Sequence, residues 1–394
     1  MSLPDHLKQL RRNARERYES LPWPTKTDEE WRRTDPSLIP SIPADWEPTS
    51  SGLKAGWDLP TQDLPSGVIL TDLETAVQQF PELIEEYLFQ SGTPEGLAKF
   101  VALHQALATQ GLFCYIPDGV KVELPIKTWV EMVQSDGAVF PHLLLIVGQG
   151  SELTLIDERR PAADGTTPVL SDEMAEIFLK KGATLRYVHL QRWGPSVTEL
   201  FIQRALLEQD AQLLNITIGL GGRLTKAEIE TVLSGSGARS ELLGILFGSG
   251  RQHFDFHTLQ DHRAQRTFSD LLYKGALTDD AESIYAGLIR ITKQAQKSDA
   301  YQANRTVLLS DGAKADSIPM LEIEADDVRC THGVAVGPVD EEQLFYLMSR
   351  GLPHLEAEQL IVEGFFDQVF KRIPMEALRE QLAAEVRHRL IHHG

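Results

Sequence analysis

KKGATLRYVHLQRWGPSVTELFIQRALLEQDAQLLNITI, residues 180–218, holds two copies of one small unit. Each copy opens on a turn, at Gly182 and Asp210, and runs into an alternating strand, TLRYVHL or QLLNITI. A third copy, GSGARSELLGIL (235–246), follows at once. The step from Gly182 to Asp210 to Gly237 is 28 and then 27 residues (210 − 182, 237 − 210). Looser copies stand on both sides: GQGSELTLID (148–157), TDDAESIYAGLI (278–289) and SDGAKADSIPML (310–321). Between residues 113 and 335 no helical window is long enough for a crossover. That argues against a doubly wound α/β fold and for an all-β region. A degenerate repeat of this length fits rungs of a parallel β-helix, in which each rung buries its inward side chains against the next. The uneven later spacing leaves a β-sandwich open.

Both ends read differently. Residues 4–19 form a charged helical pattern. A passage with Pro at 22, 24, 36, 40 and 43 follows, and Pro confines it to loops and short turns. Helices are expected near 72–90 and 93–110, with Gly111 as a glycine stop. From Asp340, DEEQLFYLMSRGL ends in a basic residue and a glycine, as helices do. HLEAEQLIVEGFFDQVFKR then places Ile361, Phe365 and Val369 four apart. After Pro374, Leu378, Leu382, Val386 and Leu390 repeat that spacing. Such apolar stripes need a cover.

In 394 residues, 42% are apolar and 24% charged, the balance of a folded chain. The net charge of −19 argues against binding nucleic acid or an anionic membrane. Two cysteines, Cys114 and Cys330, exclude a disulfide framework and a cysteine-rich metal site built by this chain alone. The opening MSLPDHLKQLRRNARERYESLPWP has no apolar signal core, and the longest aliphatic run, 143–147, is far short of a membrane span. The expectation is a soluble, cytoplasmic protein.

Four motifs carry candidate chemistry. GLGGRLTK (219–226) is glycine-rich but follows no βαβ unit and lacks the Ser or Thr after a phosphate-loop lysine, so it reads as a solenoid turn. RQHFDFHTLQDH (251–262) puts His253, Asp255 and His257 on one strand face. Those ligands suit a transition metal, or the face is a polar outer surface. His388 and His392 stand four apart in a terminus where histidines commonly stay solvated. DDVRCTHGVAVG (326–337) sets Cys330 and His332 two apart, hence on one face of a strand, with Gly333 placed for a turn. Thiolate plus imidazole suits iron, copper or zinc, or a nucleophile with its base. Two ligands make only half a site. The alternative is a buried cysteine beside a hydrogen-bonded histidine. No Ser/His/Asp set, HExxH or close acid pair marks an enzyme.

The run SDAYQANRTVLLSDGAKADSIPMLEIEADDVRCTHGVAVGPVDEEQLFYLMSRGL (298–352) resembles the SufB/SufD family of iron–sulfur cluster assembly proteins, and is most similar to its SufD branch. EEWRRTDPS (29–37) and FVALHQALATQGLFCYIPDGVKVELPI (100–126) resemble that branch too. The resemblance implies a right-handed parallel β-helix at 113–338, between helical domains at 1–112 and 339–394. It implies a non-catalytic scaffold that pairs with a SufB-type subunit through the β-helix edge. The C-terminal helices would dock a SufC-type ATPase, to which ATP hydrolysis belongs. Sulfur would come from a SufS-type cysteine desulfurase through its carrier. His332, with Cys330 beside it, would meet a nascent Fe–S cluster or metal shared across the subunit interface, none of it firmly held by this chain alone. Leu344, Phe345, Phe365 and Phe366 are the candidates for ATPase docking, with packing inside the domain as the alternative for each.

Two departures stand out. Where the SufB branch carries a sulfur-accepting cysteine in a PYVEC-like strand, this chain reads PMLEI and ends on Ile323, so it is not expected to accept sulfur. His104 stands where the SufD branch usually has Asn. The competing readings are a homodimeric scaffold using two copies of His332, and a β-helix enzyme acting on carbohydrate.

Overall fold

A computed structural model describes residues 4–43, 52–58, 64–108, 110–132, 137–161, 168–373 and 375–392. The N-terminal part holds α1 (Asp5–Ser20), β1 (Leu53–Trp57), β2 (Ile69–Asp72), α2 (Leu73–Gln79), α3 (Pro81–Tyr87) and α4 (Ala98–Leu107). The strands continue with β3 (Gln110–Ile116), β4 (Ile126–Met132), β5 (Ala138–Val139), β6 (Pro141–Val147), β7 (Glu152–Arg160) and β8 (Val169–Leu179). Next come β9 (Thr184–Gln191), β10 (Val197–Leu207), β11 (Gln212–Gly219), β12 (Leu224–Leu233), β13 (Arg239–Gly248) and β14 (His253–His262). The last strands are β15 (Phe268–Leu277), β16 (Glu282–Ile291), β17 (Asp299–Leu308), β18 (Lys314–Ile323) and β19 (Arg329–Pro338). Helices α5 (Glu341–Ser349), α6 (His354–Phe370) and α7 (Glu376–His392) follow.

From β6 onward the chain alternates between two sheets. One runs β1-β4-β7-β9-β11-β13-β15-β17-β19, the other β18-β16-β14-β12-β10-β8-β6-β3-β2. Neighbours along the solenoid are parallel, which excludes the β-sandwich; among the described residues only β1–β4 and β2–β3, at the starting end, are antiparallel. The repeat has a visible cause. Gly150, Gly182, Asp210, Gly237, Arg266 and Lys297 each sit at positive φ at the same corner of successive rungs. The Gly182 N–H bonds to Gln209 O, Asp210 N–H to Ser236 O and Gly237 N–H to Gln265 O, so the corners stack as a ladder. Thr184, Gln212 and Arg239 therefore lie in register.

Three layers of burial follow. Inward residues such as Leu155, Leu185, Leu213, Leu242 and Leu271 fill the solenoid. Phe100, Val101 and Trp31 from the N-terminal part cover Met174, Leu200 and Ile202 on the outer face of the second sheet. Val362, Phe366 and Val369 of α6, with Leu382 and Val386 of α7, cover Val188, Ile216 and Ile245 on the first sheet. Strands covered on both faces lose their alternation, which is why β6 reads PHLLLIV.

Several expectations change. The Pro-rich passage is followed by two strands, β1 and β2, that had not been expected. The helix expected over 72–90 is broken at Phe80–Pro81 into α2 and α3, because Pro81 starts a new helix at its first position. Gly111 is no helix stop: it lies inside β3, where a Cβ would fall 1.9 Å from His142 O. Gly333 makes no turn either, since β19 runs straight through it to Pro338.

Candidate functional site

The last two strands lie at the open end of the solenoid, each with one side unpaired by another strand. Cys330 and His332 project from β19 toward the solenoid interior, opposite Ala300 and Gln302 of β17. Among the described residues no further rung covers them. Cys330 is half-buried against Ile289, Ile291, Ala300 and Leu321. Burial, aided by the Asp299 charge, pushes its thiol up to about 11, so it stays protonated at neutral pH. His332 is exposed. Tyr301, Met320, Ile323, Val334 and Val336 expose apolar surface around the same end. Ile323 closes β18 and presents an exposed aliphatic side chain at this edge. The structure thus places Cys330 and His332 on one strand at the open edge of the solenoid, the thiol half-buried and the imidazole exposed.

The four docking candidates separate. Helix α5 buries no residue, although Asp340 caps it by accepting from the Glu342 and Gln343 amides. Phe345 is 72% exposed and Leu344 is intermediate. Phe366, in contrast, is 0% exposed and packed onto the first sheet, so it is taken by packing inside the protein and offers nothing to a partner. Phe365 is half-buried, edge-to-face with Phe366 at a ring-centroid distance of 5.2 Å, and under the Lys274 ammonium at 4.5 Å. Of the i+4 stripe on α6 only Val369 is fully buried; the inner face of the helix is set by Val362, Phe366, Val369 and Phe370, with Ile361 and Phe365 at its margin.

His253, Asp255 and His257 share a face, as their spacing requires, but the N-terminal segment covers it. Lys226 Nζ donates to Asp255 Oδ2 (2.7 Å) and to Glu30 O (2.8 Å), and lies 5.0 Å from the Trp31 ring. Thr34 Oγ1 donates to Asp255 (2.5 Å) and bonds His253 Nε2 (2.9 Å). His257 Nε2 lies 2.9 Å from Asp255 Oδ1. A lysine occupies the place a metal would need, and the cluster straps residues 30–34 to the second sheet. Lys226 is also the lysine of GLGGRLTK, and the Gly221 and Gly222 amides there already bond Gln191 Oε1 and Trp193 O. That motif cradles no phosphate through its backbone. His388 belongs to α7, while the His392 side chain and His393 lie outside the described residues. His104 is buried and bonds Asp172 O and His142 Nδ1.

Sequence reasoning missed a second ion cluster inside the solenoid. Asp157, Glu173 and His189 bring ligand atoms within 4.8 Å of one another. The cation position is filled by Arg159, which donates to Asp157 (2.6 Å) and through Nε to Glu173 (2.8 Å). Burial, with Arg159 close by, pulls His189 down to about 3, so it is neutral and stacks on Phe201 at 4.1 Å. The signal was available: in ELTLIDERR, alternation puts Asp157 and Arg159 on the same face as Leu153 and Leu155.

Nearby, Glu199 accepts from Gln191 Nε2 (2.9 Å), Trp193 Nε1 (2.8 Å) and Thr225 Oγ1 (3.1 Å). Burial first, then the Glu173 charge, push it up to about 7. The folded state therefore holds this proton more tightly than the unfolded chain. That contribution is fully present below pH 4.5 and is lost as pH rises to 7, about 3 kcal/mol in all. Urea unfolding across this window is expected to show a smaller decline for Glu199→Gln than for the parent; equal slopes would contradict the assignment.

Residues 130–365 match the family described as "SUF system FeS cluster assembly, SufBD core domain", and residues 55–128 match "SufBD protein N-terminal region". The chain is 30% identical to the iron–sulfur cluster assembly protein SufD of Bacillus subtilis, across 97% of this chain and 94% of that protein. It is 31% identical to an iron–sulfur cluster assembly SufBD family protein of Staphylococcus haemolyticus, across 79% of this chain and 66% of that protein. A Staphylococcus aureus member is similar to the same extent.

Proposed function

The chain belongs to the SufBD family of iron–sulfur cluster assembly proteins, and we propose that it is a SufD-like scaffold subunit whose cluster site is completed by a partner. The observation that carries this reading is the unfinished end of the solenoid. There, two unpaired strand edges stand beside exposed apolar side chains and the Cys330–His332 pair. An open edge is an aggregation hazard unless another chain covers it. A SufB-type β-helix added at β18 and β19 would pair those edges and bring the missing soft ligands. The nascent cluster is cargo that the two chains hold between them.

On this reading the chain is not itself catalytic and works in the cytoplasm. Sulfur arrives from a SufS-type desulfurase and its carrier. A SufC-type ATPase docks on the exposed face of α5, around Phe345 and Leu344. Movement of the C-terminal helices would reach the solenoid directly. Lys274 of β15 donates to Phe365 O, and Arg372 pairs with Glu241 of β13 and Asp270 of β15.

The test is co-expression with a SufB-type and a SufC-type chain, anaerobic purification through a tag on this chain, and assay of iron and sulfide. A mixed complex carrying both elements is expected; a chain that elutes alone or as a homodimer sinks the proposal. In the same experiment Phe345→Glu is expected to lose the ATPase while keeping the β-edge partner. Retention of the ATPase would move its docking surface off α5.

A further inference from the structure

A groove of about 400 Å³ opens where three successive solenoid turns, 192–196, 220–223 and 249–252, meet the end of α7. Arg223, Arg251 and Arg389 line it, with Trp193, Pro195 and Leu220 as its apolar wall. No aspartate or glutamate lines it, although the chain carries a net charge of −19. Glycine permits the approach of the turns: Gly222 and Gly250 sit at positive φ, and a Cβ on Gly221 would lie 2.2 Å from Trp193 O.

The arginines are under-used. Arg389 has a buried Nε with no acceptor among the described residues, and its Nη2 reaches Glu385 Oε1 only at 3.4 Å. A buried donor left without an acceptor carries a desolvation cost that an incoming oxyanion would relieve. Arg389 stands in the last turn of α7, where a cation is favourable in any case. Arg251, on a different element, has no such explanation: it is exposed and has no ion-pair partner among the described residues. Arg223 is already anchored through Nη2, to Leu38 O (3.0 Å) and Thr198 Oγ1 (3.1 Å), so its guanidinium is held in place. The amides of Gly221, Gly222 and Gly250 are occupied within the protein. Recognition would therefore come from guanidinium groups, whose planar forks suit oxyanions.

We infer that this groove binds a small organic anion, with its phosphate or carboxylate groups on Arg251 and Arg389 and its apolar part against Pro195 and Leu220. The volume is in the range of small-molecule sites. The site lies on the turns of the solenoid, apart from β19 and α5, and so adds a ligand to the scaffold reading rather than restating it.

Calorimetric titration of the full chain with pyrophosphate, AMP and citrate at 150 mM salt tests this. Saturable binding of at least one is expected, weakened roughly tenfold or more by Arg251→Ala and by Arg389→Gln. The exposed Arg251 can be replaced without touching the core, so loss in that variant is not a folding effect. The phosphate and carboxylate arms tell the two chemistries apart. No heat with any of the three probes overturns the inference, and so does binding that survives Arg251→Ala. Equal weak binding of all three that vanishes with salt overturns it too, as surface charge alone.

Discussion

Replacing Lys226 by Met is expected to lower the unfolding free energy by about 3–5 kcal/mol, because it leaves a buried carboxylate without its cation. Lys226 is 0% exposed and holds Asp255, the Glu30 carbonyl and the Trp31 ring at once. Burial alone would push the Asp255 carboxyl up. The Lys226 and His257 charges outweigh it and hold the group well below the usual carboxylate range. That stability is present above pH 3.8 and is lost as pH falls below it. In the variant the balance reverses: burial is left largely unopposed, and stability should instead fall as pH rises through the carboxylate range. Residues 30–34 also lose their strap, so limited proteolysis in the preceding Pro-rich stretch should accelerate at temperatures where the solenoid is intact. The double variant Lys226→Met, Asp255→Leu should recover much of the loss, since an apolar pair of similar size avoids the stranded charge. A single variant that loses under about 1 kcal/mol, or a double variant no better than the single, would show that the cluster is not the anchor.

That anchor marks where sequence reading stops. The solenoid was legible because one corner needs a left-handed residue on every rung, and Gly182, Asp210 and Gly237 supply it at nearly constant spacing. The corner is local, so the sequence displays it. The faces are not local. Strand alternation put His253, Asp255 and His257 on one side correctly, yet their chemistry is set by Lys226 and by Thr34, and Thr34 and the Glu30 carbonyl that holds Lys226 lie some two hundred residues earlier in the chain. Gly111 and Gly333 were read as punctuation because glycine usually is. Gly111 is there for the close approach of His142 O, a contact made only once β3 and β6 pair. The apolar stripe on α6 was equally clear as a pattern, but a stripe cannot say whether it faces its own sheet or a partner, and Phe366 faces the sheet. The Cys330–His332 pair was legible as two residues on one strand face; that their strand ends the solenoid, with no described strand beyond it, depends on the stacking of every earlier rung and was not legible.

His332→Ala is expected to cut cluster formation in the co-expressed complex roughly tenfold or more, while leaving both the fold and the complex in place. The side chain points to the interior side of the last strand but is exposed at the open end of the solenoid, so removing it creates no enclosed cavity and strands no partner among the described residues. Thermal unfolding should match the parent closely. Cys330→Ser should have a different profile. Its thiol is half-buried and held at about 11 by burial and the Asp299 charge, so in the free chain it is a poor nucleophile and a poor ligand. It becomes a thiolate only when a bound metal displaces the proton. Cluster yield in Cys330→Ser should therefore fall less than in His332→Ala, and at low iron the deficit relative to the parent should grow as pH rises, because the parental thiol loses its proton more readily while the serine hydroxyl keeps its own. Anaerobic assay of iron and sulfide, with complex mass measured on the same samples, separates loss of ligands from loss of assembly. A His332→Ala complex that carries the parental complement of iron and sulfide would take this residue out of the site. It would leave the open edge as a docking surface alone.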